Sequence, residues 1–359
     1  MKHLLDREKT LNKLDSGHVY DSITMFPSQL KNAWEEINIQ TIKKRYQKIQ
    51  NICITGMGGS ALAGRIIHYL NPTLSKLSIQ VSSNYRLPTW VNKNTLVIAS
   101  SYSGNTEEII SSTKDAIERG SKIFIITSGG QLQQLATQKG LDIFLINPND
   151  NPSGKPRLAL GSSLGAHLGF LSRIKLINNQ NLDINSITDS LHSIASKLTQ
   201  DIPSKNNPAK ILAIKTKHKA VIIFSANHLN GSAYASKNQI NESAKTFSTN
   251  FILPELNHHL LEGLSLPQQL KQYSYFILLN SNLYPQRIQK RLKITQEVLQ
   301  KQKYPLTIIK PESSSMLQQA LETIYFFEYF SFYLAMVNGV NPAPIPWVDY
   351  FKKKLASPL

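Results

Sequence analysis

Cysteine occurs once in the 359 residues, at Cys53. A single thiol excludes a disulfide framework and any cysteine-rich metal site. It lies in the apolar run Ile52-Cys53-Ile54, which fits a buried structural thiol rather than a nucleophile. No apolar stretch is of bilayer length: the most apolar one, 324–337, is interrupted by Glu328 and too short to span. The opening Met1-Lys2-His3-Leu4-Leu5-Asp6-Arg7 lacks the apolar core of a secretory signal, so a cytoplasmic enzyme is expected. Acidic residues are few, 23 against 40 Lys and Arg, which leaves a net charge of +17. Nucleic-acid binders gather such charge on one face with aromatics between. Here it is spread along the chain, with small clusters at Lys43-Lys44-Arg45, at 287–293 and at Lys352-Lys353-Lys354. That is a solvated basic surface, and its field would attract an anionic small substrate.

What the chain does have is length for about two domains and a patterned loop, Ser100-Ser101-Tyr102-Ser103-Gly104-Asn105-Thr106. The apolar run 95–99 leads into it as a buried strand, and a helical pattern with Ile109 and Ile110 leaves it. Asn105 followed by Glu108 predicts an N-cap with a capping box. A helix start offers unpaired N–H groups and the positive end of a dipole. Ser101, Ser103 and Thr106 add hydroxyls, and Gly104 lets the backbone come close, so a phosphate would fit. The same residues also read as an ordinary serine-rich strand-to-helix turn, and the loop alone does not choose.

The remaining segments set this loop in an α/β frame. Residues 1 to about 48 read as helices broken at Phe26-Pro27, with 29–47 mostly helical. Asn51-Ile52-Cys53-Ile54-Thr55 then reads as a strand, followed by Gly56-Met57-Gly58-Gly59-Ser60 and a small-residue helix. This opens like a nucleotide-type βαβ unit, but no acidic residue closes the next strand (77–81), which argues against a dinucleotide. The glycines and Ser60 more readily bring backbone N–H groups to a sugar. Strands at 95–100, 122–127 and 141–146 alternate with helices, the signature of a parallel sheet covered on both faces. The turn-rich 147–155 closes a first domain, 1–155, and Pro156-Arg157 opens a helical run over 158–177. The polar stretch 178–208 connects, around one helix, to a second series with strands at 220–225, 275–279 and 306–309. Residues 156–359 thus hold linker helices, a second α/β domain and a helical tail. Residues 325–333 predict a helix buried at a domain or subunit interface.

Gly56-Met57-Gly58-Gly59-Ser60 with Ser101-Tyr102-Ser103-Gly104-Asn105-Thr106 resembles the sugar isomerase (SIS) domain family. Lys155-Pro156-Arg157, Asn241-Glu242, Pro254-Glu255-Leu256-Asn257-His258 and the tail from Val348 to Leu355 narrow the resemblance to the bifunctional phosphoglucose/phosphomannose isomerases, over nearly the whole chain. The resemblance implies two SIS-type three-layer αβα domains, each with a mainly parallel sheet, and a homodimer with active sites at the subunit interface. Glu242 would match the base, and His258, from the neighbouring subunit, the ring-opening histidine. Arg157 would match the arginine beside the reacting carbons. Ser101, Ser103 and Thr106 would hold the phosphate, with Gly59 and Ser60 lining the sugar site. The spacing before Leu355 favours Lys352 over Lys353 and Lys354 as the C-terminal lysine. A threonine expected shortly before it is replaced by Pro342-Ala343-Pro344-Ile345-Pro346-Trp347.

The implied reaction moves a proton between C2 and C1 of a sugar 6-phosphate through an enediolate. It needs one base over both carbons, a cation for the developing negative charge, and a group titrating near neutrality to open the ring. It requires no cofactor, and the absence of a spaced His/Glu ligand set in the sequence agrees with a metal-free route. On residue type alone Glu255 and Glu262 compete with Glu242, and adjacent His258 and His259 would point opposite ways in extended backbone. Other classes need more than this sequence has. A non-catalytic phosphosugar-binding SIS regulator would usually carry a helix-turn-helix, and none stands out in the first 50 residues. A glutamine-dependent amidotransferase needs an added glutaminase domain.

Overall fold

A computed structural model describes residues 4–42, 46–178 and 182–355, so the Lys43-Lys44-Arg45 cluster lies outside the described residues. Two all-parallel sheets organise the chain. The first contains β1 (Asn51–Gly56), β2 (Ser78–Ser82), β3 (Thr95–Ser100), β4 (Lys122–Thr127) and β5 (Asp142–Leu145), in the order β2-β1-β3-β4-β5. The second contains β6 (Ala220–Ala226), β7 (Ser248–Leu253), β8 (Ser274–Leu279) and β9 (Leu306–Ile309), in the order β7-β6-β8-β9. In both, the first strand has its sequence neighbour on one side and the next strand on the other. Loops leaving the C-terminal ends of these strands therefore diverge and open a crevice between them.

Side-chain alternation sorts the first sheet into two faces. Cys53, Val97, Ala99, Ile123 and Ile125 form one apolar cluster with the helices Glu107–Glu118 and Gly130–Lys139. Ile52, Ile54, Leu96, Ile98, Phe124 and Ile126 face the other way, into a cluster that continues without a break through the second sheet. Three layers result, and one core serves both halves. Cys53 is fully buried in the first of these clusters, and burial pushes its thiol up to about 12, so it is a packing residue.

The helix Phe26–Ile39 lies against the helix Leu160–Arg173 through a glycine stripe. A Cβ at Gly161 or Gly165 would run into the backbone of Phe26 or Leu30, and one at Gly169 into Ile37. Gln29 of the first of these helices donates to the carbonyls of Asp150 (2.8 Å) and Leu158 (2.9 Å), which ties the pair to the segment that carries Arg157. The first helix ends at Ile39 instead of continuing to 47. The helix in 178–208 is Ile184–Ala195.

The aromatic stretch belongs to the 23-residue helix Met316–Asn338, buried along most of its length. Tyr325 stacks on Phe26 at 5.1 Å, and Tyr20 contacts Tyr329 and Phe332. The expected interface helix is thus the seam between the N-terminal helices and the second half. Glu328 is buried there, bonded by Gln239 Nε2 at 2.8 Å, and burial holds its carboxyl well above the usual range. No helix among the described residues is long and apolar enough to cross a membrane.

One strand escaped the periodicity. β7 reads Ser248-Thr249-Asn250-Phe251-Ile252-Leu253, and its polar first half hides its pairing with β6. Where β6 and β8 end, the crevice equivalent to that between β1 and β3 is filled from within. Gln319, fully buried, accepts from Ser281 Oγ (2.6 Å) and bonds His228 Nε2 (3.0 Å). Its amide donates to Asn282 Oδ1 (2.9 Å) and to the Ser313 carbonyl (2.7 Å).

Candidate active site

At the first crevice the chain behaves differently. β3 runs into the hydroxyl loop, and Ser101 N–H donates to the Ile126 carbonyl at 3.0 Å, seating the loop on β4. Gly104 has φ +66°, and a Cβ there would collide with the Gly129 carbonyl, so glycine is required for the turn. The helix Glu107–Glu118 follows, with Thr106 at the N-cap and no side-chain cap bond closing the first turn. The expected Asn105 cap does not form, because Asn105 Oδ1 instead accepts from Gln131 N–H at 3.1 Å. The helix start therefore keeps its donors for a ligand. Ser101 Oγ and Thr106 Oγ1 meet at 2.8 Å across the loop, and Ser103 Oγ accepts from Asn105 N–H at 3.3 Å.

Ser60 ties the two loops together: its Oγ accepts from Tyr102 N–H at 2.9 Å, leaving the hydroxyl proton free to donate. Next to it Gly59 packs on the backbone of Arg157, where an added Cβ would stand 2.6 Å from Arg157 N. The segment carrying Arg157 is anchored in turn by Asn151, whose Nδ2 donates to the Lys155 carbonyl (3.0 Å) and to Tyr102 Oη (3.2 Å).

Arg157 is buried at 1% exposure and spends its donors on the second half of the chain. Nε donates to Ser243 Oγ (2.9 Å), Nη2 to the carbonyls of Pro342 (2.7 Å) and Ala343 (3.1 Å), and Nη1 to Glu242 Oε2 (3.3 Å). Burial pulls its guanidinium below its ordinary range while Glu242 holds it up, and an arginine stays charged through either effect. Of five N–H donors, four are engaged and one on Nη1 is left beside the carboxylate. Glu242 itself is half-buried at the end of the helix Asn230–Ser243, whereas Glu255 and Glu262 are exposed. Geometry thus separates three glutamates that residue type could not.

Gly59, Ser60, Ser101, Thr106, Arg157 and Glu242 form one connected set, with Ser103 on the same loop. Among the described residues, no hydrogen bond or ion pair joins His258 or Lys352 to it. His258 is exposed in the turn Glu255–His258 after β7. That turn also removes the expected alternation of His258 and His259, since the backbone there is not extended. Lys352 is exposed on the helix Pro346–Leu355, which also exposes Trp347, Tyr350 and Phe351.

Sequence reasoning missed Lys245, Ser243 and the Pro342 and Ala343 carbonyls. Lys245 Nζ donates to the carbonyls of Glu242 (2.6 Å), Ser243 (3.4 Å) and Pro342 (3.2 Å). A lysine just past a helix end that carries a candidate base was the available signal. The tail segment that departs from the expected threonine pattern supplies two of the acceptors that orient Arg157.

The chain resembles proteins of known activity over most of its length. Residues 205–355 match the family model described as bacterial phospho-glucose isomerase C-terminal SIS domain. A bifunctional phosphoglucose/phosphomannose isomerase of Caldicellulosiruptor bescii is 31% identical over 340 residues, 94% of this chain and 99% of the relative. One from Aquifex aeolicus is 28% identical over 94% of this chain and 98% of its own. Among solved structures, a putative phosphosugar isomerase of Clostridium difficile superposes with a TM-score of 0.73 at 16% identity, covering 95% of this chain and 99% of that one, which speaks to the fold.

Proposed function

The chain belongs to the bifunctional phosphoglucose/phosphomannose isomerase family and is a sugar-phosphate isomerase; from that premise we propose that it interconverts fructose 6-phosphate with both glucose 6-phosphate and mannose 6-phosphate, acting in the cytoplasm. The observation that carries this reading is the Arg157–Glu242 pair at 3.3 Å, reached by an unbroken run of contacts from the hydroxyl loop.

The division at Lys155 separates two tasks. Residues 1–155 hold the substrate: the phosphate lies on Ser101, Ser103, Thr106 and the helix start, and the sugar on Gly59 and Ser60. Residues 156–359 move protons. Glu242 takes the C2 proton and returns it at C1, and the remaining Nη1 donor of Arg157 stabilises the oxygen that gains charge. Four fixed contacts hold Arg157 before substrate arrives, so little reorganisation accompanies the charge shift. Removing the C2 proton makes that carbon planar, so the two epimers share one enediolate and one ketose. Rotation about C2–C3 with the phosphate anchored presents either hydrogen to Glu242.

Ring opening falls to His258 of a second copy, with Lys352 assisting, in a homodimer. The apolar face of the C-terminal helix supports such an association, since Trp347 is 82% and Phe351 64% exposed in the single chain. The test is a coupled assay of fructose 6-phosphate formation from each aldose phosphate. Both should turn over, and Glu242→Gln should lower kcat by about 10²-fold or more with both substrates. Turnover of one epimer only would reduce the activity to a single-substrate isomerase. Near-native turnover in Glu242→Gln would remove the proposed base.

A further inference from the structure

Lys245 stands where a helix C-terminus normally wants glycine. The helix Asn230–Ser243 ends, Ala244 takes the C-cap, and Lys245 follows in the left-handed region at φ +53°. Its stem is exposed, but its ammonium turns in onto three carbonyls. Two of them, Glu242 and Ser243, belong to the last residues of the helix that presents the base. The third, Pro342, is the same carbonyl that accepts from Arg157 Nη2. An ammonium has three N–H donors, and each has an acceptor here.

From this arrangement we infer that Lys245 is a positioning residue for isomerisation: it locks the helix end bearing Glu242 to the tail carbonyl that orients Arg157, and so holds base and cation in register. The inference rests on the function proposed above. Without the clamp, Arg157 alone bridges the helix end and the 342–343 segment, and the two are held less tightly in register. A displacement of about an ångström between base and substrate carbon is enough to slow proton transfer by orders of magnitude.

The clamp also titrates. The charged groups around it are Arg157 and Lys155, which oppose its charge, and Glu242, which favours it; His218 and Lys219 line the hollow on its outer side. Burial first, then Arg157, lowers the ammonium from 10.5 to about 8. Above that pH one N–H is lost and a lone pair faces carbonyl oxygens. The sign for stability is opposite. Because the folded value lies below the unfolded one, the unfolded chain binds more protons between about pH 8 and 10.5, so this group favours the fold increasingly as pH rises. Activity and stability should diverge over that window, which a purely structural lysine would not produce.

The experiment compares wild type, Lys245→Gly and Lys245→Arg by kcat, KM and thermal unfolding from pH 6 to 10. Glycine relieves the left-handed backbone, so Lys245→Gly should keep at least the wild-type Tm. Its kcat should fall about tenfold or more, with KM changed less than about twofold. Lys245→Arg restores non-titrating donors; its kcat should recover to within about threefold and persist above pH 8, where wild type declines. Wild-type kcat in Lys245→Gly would overturn the inference, as would an equal loss in both variants accompanied by a lower Tm. If wild type itself fails to isomerise either sugar, the function falls and the positioning role with it, an outcome visible before any variant is made.

Discussion

Gly59→Ala adds one methyl group and probes whether the contacts between sugar loop and Arg157 matter. The new Cβ would stand 2.6 Å from Arg157 N, 2.9 Å from its Cα and 3.0 Å from Pro156 C, all of them backbone atoms without a rotamer to yield. Ordinary contact begins at 3.4 Å, so the two segments must separate by about 0.8 Å. Arg157 is pinned at its other end by Ser243, Pro342 and Ala343, so its main chain cannot drift freely. A shift of that size stretches the 3.3 Å contact with Glu242 beyond hydrogen-bond range. We expect kcat to fall about 10²-fold, with KM changing less, because the added methyl group meets only the 156–157 backbone and not the hydroxyl loop proposed to hold the phosphate. Overpacking of this kind also costs about 1–3 kcal/mol, seen as a Tm lower by a few degrees. Steady-state kinetics with fructose 6-phosphate and a thermal melt measure both. Gly263→Ala is the control: nothing lies within 4 Å of a Cβ there, and neither quantity should move. Native kcat and Tm in Gly59→Ala would refute the idea that this contact places Arg157.

Two further outcomes follow from the site. Ser101→Ala combined with Thr106→Ala should raise KM for the sugar phosphate about tenfold or more, at about 1.5–3 kcal/mol per hydrogen bond to a charged group, and unchanged KM would put the phosphate elsewhere. Mixing inactive Glu242→Gln and His258→Ala chains, with subunit exchange verified, should restore measurable turnover; no recovery would refute a site shared across a dimer.

Much of the fold was legible because parallel strands buried on both faces are written as short apolar runs. Thr95-Leu96-Val97-Ile98-Ala99 and Ala220-Val221-Ile222-Ile223-Phe224 needed no context. β7 did not stand out, since half of it is polar and its identity comes from pairing with β6. The N-cap was misplaced for a related reason: Asn105 has the right chemistry, but its partner Gln131 is far along the chain. The 100–106 loop could be read as a strand-to-helix turn because its pattern is local. Arg157 meets Glu242 directly and shares the Pro342 carbonyl with Lys245, and no local pattern encodes contacts between such distant segments.

Gln319 gives the duplicated architecture its asymmetry. Any small molecule seeking the crevice between β6 and β8 must compete with an amide already tethered there, whose effective local concentration exceeds that of a diffusing ligand. Displacing it breaks four hydrogen bonds, at about 1 kcal/mol each, a handicap of roughly a thousandfold in affinity before the newcomer gains anything. The second half is thus a domain permanently bound to its own side chain. Saturation curves should therefore carry no second class of phosphosugar sites at that crevice.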